Sequence, residues 1–217
     1  MLKAAIIYVQ GSGGNLLART LSLSEKTIAY LPKTMALEQP TTQISVQDRL
    51  KLYNNWNNKN WAFSENKIGI WYHHGCQDFY HYEDSELWLI DQFHPAMFES
   101  ELNKQVLFKT TQSWEHLIFI QWKQSSLDTI IKLAKLKRLD LKHEFQIKNK
   151  ELDIFDKMIN TYQGAHVINW EDMLNENTYL DSIEGIAQKL NLILDFSLVK
   201  ELWKSWKIET DKILQID

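Results

Sequence analysis

A chain of 217 residues, 44% of them hydrophobic and with a formal net charge of −4, suffices for one globular domain over residues 1–217 and lacks the basic excess of a general nucleic-acid binder. Its single cysteine, Cys76, excludes a disulfide framework or a cysteine-based zinc site within one chain and fits a reducing, cytoplasmic setting. No apolar stretch approaches about 18 residues and no signal-peptide pattern opens the chain, so neither a membrane span nor a secretory leader is expected.

The elements follow in chain order. Residues 4–9, Ala-Ala-Ile-Ile-Tyr-Val, form a continuous apolar run that reads as a buried strand. A helix is expected from about Asn15 to Leu23, with Leu16, Leu17, Thr20 and Leu21 on one face. Thr42 to Tyr53 has helical spacing at Val46, Leu50 and Tyr53, and the Asn-rich stretch after it reads as a loop. Residues 67–75 and 86–95 each read as a strand ending in a histidine-bearing turn. Pro95 suits the start of a short helix over 96–102, and 105–111 is a further strand.

Residues 113–122 support two readings. Trp114, Leu117, Ile118, Gln121 and Trp122 have helical spacing with Ser113 as a cap, which predicts a helix; the apolar run Leu117–Ile120 also suits a strand. Helices are expected over 126–139, 151–163, 182–192 and 197–214, and a strand over 165–170. Alternating strands and helices imply an α/β fold, a three-layer sandwich with a central, mostly parallel sheet of 4–5 strands and C-terminal helices. Ligands of such sheets bind at the carboxyl ends of strands.

The first strand ends in Gln10-Gly11-Ser12-Gly13-Gly14-Asn15 and a helix follows at once. Glycines there let the backbone turn and aim several N–H groups at one anion, aided by the helix dipole. The lysine and hydroxyl of an ATP-binding P-loop are missing, since Leu16 and Leu17 follow Asn15. A dinucleotide fingerprint would need glycine where Leu16 stands. The remaining readings are a loop for a phosphate held without metal, or a strand-to-helix turn whose glycines serve packing.

This run of motifs resembles the sulfotransferases, a family related in fold to nucleotide kinases that uses 3′-phosphoadenosine 5′-phosphosulfate (PAPS) as donor. Gly11-Ser12-Gly13-Gly14-Asn15-Leu16-Leu17 stands where that family grips the 5′-phosphosulfate, with Gly11 at the position of the family's basic residue. Asp91 to Pro95 is similar to its Thr-His-Pro-like turn. Residues 105–113 hold the place of a strand ending in Arg with a Ser on the next helix, which take the 3′-phosphate. Residues 167–174, VINWEDML, are close to its Tyr-Glu-Asp-Leu strand end. The resemblance spans residues 4 to about 194. It implies that Gly11, Ser12, Gly13, Gly14, Asn15 and Leu16 bind the donor, with Arg19 one turn into the helix as a further phosphate contact. Lys109, Thr110, Thr111 and Ser113 would take the 3′-phosphate; if 117–120 is a strand, Lys123, Ser125 and Ser126 stand in that place instead.

Sulfuryl transfer needs donors on the leaving phosphate, a base for the acceptor hydroxyl and in-line placement. The transferred group carries less charge than a phosphoryl, so no metal is required. His94 is the first candidate base and His74, beside His73, the second; a backbone-bonded histidine is the alternative in either place. A metal set from His73, His74, His81, Asp84 and His94 matches no standard zinc spacing. Glu171 and Asp172 read as a helix cap or as groups that orient a loop. The basic stretch 132–150 reads as a solvated face or a seat for an acidic glycan, and the expected acceptor is a small molecule or a glycan.

Overall fold

The computed structural model describes residues 4–8, 11–27, 30–32, 44–56, 61–63, 70–73, 116–133, 156, 159–160 and 165–215. The strands expected over 86–95 and 105–111, the helix over 96–102 and most of 134–163 lie outside them. Contacts divide the chain into two compact units: Met1–Lys3, Asn15–Trp71 and Asp172–Asp217 in the first, Ala4–Gly14 and Tyr72–Glu171 in the second.

The second unit holds the parallel strands. β1 (Ala4–Ile7) and β5 (His116–Gln121) pair in parallel with Ile7 opposite Phe119. β5 and β6 (His166–Asn169) pair in parallel with Gln121 opposite Asn169. β4 (Ile70–His73) borders β1 on its other side. The class is therefore α/β with parallel pairing.

The helix predicted over 113–122 is corrected to a strand. Leu117, Ile118, Phe119 and Ile120 are all buried, and β5 lies between two parallel neighbours. A strand covered on both faces needs apolar residues at consecutive positions, and that run also satisfies helical spacing by coincidence. A single 3-10 turn, Gln124–Ser126, then leads into α3 (Leu127–Leu133), which buries Leu127, Ile130 and Ile131.

The first unit is mainly helical. α1 (Gly14–Leu21) is followed by a short antiparallel pair, β2 (Tyr30–Pro32) with β3 (Trp61–Phe63), and by α2 (Val46–Tyr53). A short turn of helix, α4 (Trp170–Met173), in which the chain passes from the second unit to the first, leads to α5 (Glu176–Lys189) and α6 (Phe196–Leu214) of the first unit. Their ends carry the residues that helix ends require. Ser45 accepts from the Asp48 N–H at 3.2 Å, and its hydroxyl donates to the Asp48 carboxylate at 2.8 Å. Asn175 accepts from the Asn177 N–H at 3.0 Å, and Asp195 from the Ser197 N–H at 2.9 Å. α5 stops at Asn191, whose φ of 50° closes a Schellman turn; Leu192 N–H donates to Ala187 O at 2.8 Å and Asn191 N–H to Gln188 O at 3.1 Å.

α1 was expected to bury one face, yet every residue from Leu16 to Leu21 is buried, including Arg19 at 1% exposure. Thr20 shares a 2.6 Å hydrogen bond with the Tyr179 hydroxyl of α5; burial pushes that hydroxyl's pKa well up, and the Thr20 hydrogen bond opposes the shift. Arg49 of α2 answers from the other side. Nη1 donates to the carbonyls of Ser22, Ser24 and Thr27 at 2.8, 2.9 and 3.2 Å, and Nε to that of Ile44 at 3.0 Å. Burial pulls its guanidinium below the ordinary value, with Tyr53 and Glu25 opposing the shift.

Two outcomes are expected. Arg49→Met removes the guanidinium donors from the buried carbonyls of Ser22, Ser24 and Thr27 and from the part-buried one of Ile44, of which Ser24 keeps its bonds from Thr27, and lowers stability by about 3 kcal/mol in urea unfolding; Arg49→Lys recovers little of it because an ammonium cannot span the set. Asp195 is held below its usual 3.8 by hydrogen bonds from the Ser197 hydroxyl and N–H, against a small opposing effect of burial. Its contribution is complete above 3.8 and is lost as pH falls through the lower folded value. Urea midpoints taken from pH 5 down to about 2 should therefore fall less steeply in Asp195→Asn than in the natural protein.

Candidate functional site

The parallel register sets the carboxyl ends of β1, β5 and β6 side by side in the second unit. The glycine loop follows β1, Lys123 follows β5 and Glu171 follows β6.

Each loop glycine has its own physical reason. Gly11 and Gly13 have φ of 92° and 84°, the left-handed region where a side chain is strained. Gly14 is buried, and a Cβ there would overlap the ring of Tyr8, itself 2% exposed. Packing therefore accounts for Gly14, while conformation accounts for Gly11 and Gly13. Ser12 between them is buried, and Asn15 in the first turn of α1 is exposed. The Leu16 side chain is in the core, so only its backbone N–H can serve a ligand.

Arg19, expected as a further phosphate contact, is buried and engaged within the fold. Its guanidinium donates to the carbonyl of Tyr53 and, at 3.4 Å, to that of Asn55, and lies 3.9 Å from the centre of the Trp56 ring. The Trp56 indole N–H in turn donates to Ser205 of α6 at 2.9 Å. Arg19 is thus engaged in holding the end of α2. His94, His74, Lys109, Thr110, Thr111 and Ser113 lie outside the described residues.

The strand form of β5 makes Lys123, Ser125 and Ser126 the residues at its carboxyl end. Lys123 and Ser125 are exposed, Ser126 buried. Glu171 ties this turn down: one carboxylate oxygen accepts from the Lys123 N–H at 3.0 Å and from the Ser126 hydroxyl. Of the two roles open to Glu171 in the sequence, this is the orienting one. Its other oxygen, and the indole N–H of the preceding Trp170, are buried with no hydrogen-bond partner among the described residues.

No protein-family model, curated protein or solved structure matches this chain.

At the opposite, amino ends of the strands, His116 and His166 sit with Nδ1 and Nε2 3.2 Å apart. Their ring planes differ by 20° and their centres are 5.4 Å apart. The nitrogen gap and the two ring radii account for that separation, so the rings meet edge to edge at one nitrogen–nitrogen contact whose donor depends on the tautomer. They lie away from the loop edge. Among the described residues no group of three His, Cys, Asp or Glu gathers as a metal would require, and no helix is long and apolar enough to cross a membrane.

The Lys123–Glu171 turn was hard to find from sequence, since the helical spacing of 113–122 moves the strand end away from it. The signal available was Glu171 itself, a carboxylate directly after a strand.

Gly14→Ala is expected to cost about 2 kcal/mol in urea unfolding through overlap with Tyr8, and pairing it with Tyr8→Leu should recover much of that loss. Full additivity of the two substitutions would show that Gly14 is needed for another reason.

Proposed function

We propose that the chain is a sulfotransferase-like enzyme that moves a sulfuryl group from PAPS to a hydroxyl of a small molecule or glycan, in the cytoplasm and without a metal. The observation that carries this reading is the loop. Two left-handed glycines flank a buried serine four to six positions after a parallel strand and directly before a helix. That arrangement suits a phosphate that leaves, and it lacks the lysine that holds a phosphoryl group being cut.

The residues fit the donor as follows. Backbone N–H groups of Gly11 to Leu16 would take the 5′-phosphosulfate. Lys123 and Ser125, exposed at the end of the neighbouring strand, would take the 3′-phosphate. His94, with His74 as second candidate, remains the proposed base, accepting the acceptor's hydroxyl proton. The wider architecture proposed is the three-layer, P-loop-like sandwich of that family.

A second reading is a non-catalytic phosphate- or nucleotide-binding module on the same fold. It is favoured by Arg19, whose engagement with the Tyr53 and Asn55 carbonyls leaves α1 supplying the loop with backbone donors and no cation from that position.

Calorimetry with 3′,5′-ADP, 5′-AMP and ATP, with and without magnesium, tests the proposal. Magnesium-independent binding of 3′,5′-ADP, tighter than that of 5′-AMP and lost in Gly13→Val, is expected. Binding of ATP alone, and only with magnesium, would replace the sulfuryl reading with a phosphoryl one. Retained 3′,5′-ADP binding with no turnover of PAPS on any hydroxyl acceptor would favour the module.

A further inference from the structure

The geometry points to Glu171 as a positioning residue that gives the site its selectivity for a ligand with a second phosphate. The inference rests on the donor reading above and adds the device behind it. In that reading the contacts to the second phosphate come from Lys123 and Ser125, and Glu171 acts behind them. It accepts from the Lys123 N–H at 3.0 Å and from the Ser126 hydroxyl, both through the same oxygen. These two residues bracket the 3-10 turn between β5 and α3.

The consequence is a division of labour within one turn. Ser126 is buried and held, and the Lys123 main chain is held, while the side chains of Lys123 and Ser125 stay exposed at the strand edge that carries the glycine loop. A lysine on an unrestrained turn would have to order both its backbone and its long side chain on binding, and that entropy weakens the contact. Anchoring the backbone beforehand removes the first part. The second carboxylate oxygen is buried without a partner among the described residues, a desolvation cost that the two bonds to this turn offset. A negative charge beside an anion site opposes binding by itself, so the acceptor geometry and the charge of Glu171 pull in opposite directions. Glutamine separates them, because its carbonyl accepts the same two hydrogen bonds without the charge.

The test is calorimetry of 3′,5′-ADP and 5′-AMP on the natural chain, Glu171→Gln, Glu171→Ala, Lys123→Met and the Glu171→Ala/Lys123→Met pair, with thermal unfolding as a check on each. Glu171→Ala is expected to weaken 3′,5′-ADP binding about tenfold and to leave 5′-AMP unchanged. Glu171→Gln should bind 3′,5′-ADP as tightly as the natural chain or more tightly. Lys123→Met should lose as much as Glu171→Ala, and the pair no more than Lys123→Met alone, since Glu171 acts through Lys123. Equal losses for both nucleotides, additive losses in the pair, or failure of glutamine to restore binding would overturn the inference. If the natural chain itself binds 3′,5′-ADP no better than 5′-AMP, the donor reading falls first, and Glu171 has no second phosphate to select.

Discussion

The first unit depends on a reciprocal pair of buried arginines. Arg19 leaves α1 and donates to the carbonyls at the end of α2; Arg49 leaves α2 and donates to the carbonyls that follow α1. Each cation sits at or just beyond the carboxyl end of the other helix, which carries partial negative charge. This resolves two problems together. Helix ends buried in a core need donors for their last carbonyls, and a buried guanidinium needs acceptors for its N–H groups. α1 can be submerged on every side because those needs cancel. The Trp56 ring over Arg19, tied in turn to Ser205, extends the arrangement to α6.

Much of this architecture was legible in the sequence. The strand before the glycines, the last helix and the strand over 166–169 rest on local signals, a β-branched apolar run and apolar spacing along α6, whereas the expected helix over 182–192 begins at Glu176 behind the Asn175 cap, a start the sequence reading passed over. The failures have a common physical cause, which is that burial on all sides removes periodicity. β5 is buried on both faces, so its residues carry no two-residue alternation and fall in with a helical pattern. α1 is buried all round, so its arginine reads as the polar face of an amphipathic helix although it is part of the core. An arginine that pairs with main-chain carbonyls leaves no trace in side-chain composition, which is why Arg19 reads as a ligand group.

The candidate site shows the same mixture. The loop glycines are plain in the sequence, but their reasons are not. Only the backbone separates Gly11 and Gly13, needed for their φ angles, from Gly14, needed for the Tyr8 ring. Glu171 was visible as a carboxylate after a strand, and its work on Lys123 and Ser126 became clear only once 116–121 was a strand running parallel to 166–169.

The arginine pair also bears on how the chain reaches this state. About 30 residues separate Arg19 from Arg49, so the contact forms by closing a loop of moderate length. If α1 collapses into the interior before α2 arrives, it carries a guanidinium deprived of the Tyr53 and Asn55 carbonyls; if α2 arrives first, Arg49 lacks those of Ser22 and Ser24. Either half-docked species buries a cation short of acceptors and stands high in free energy. Docking of the two helices in one concerted step avoids both species.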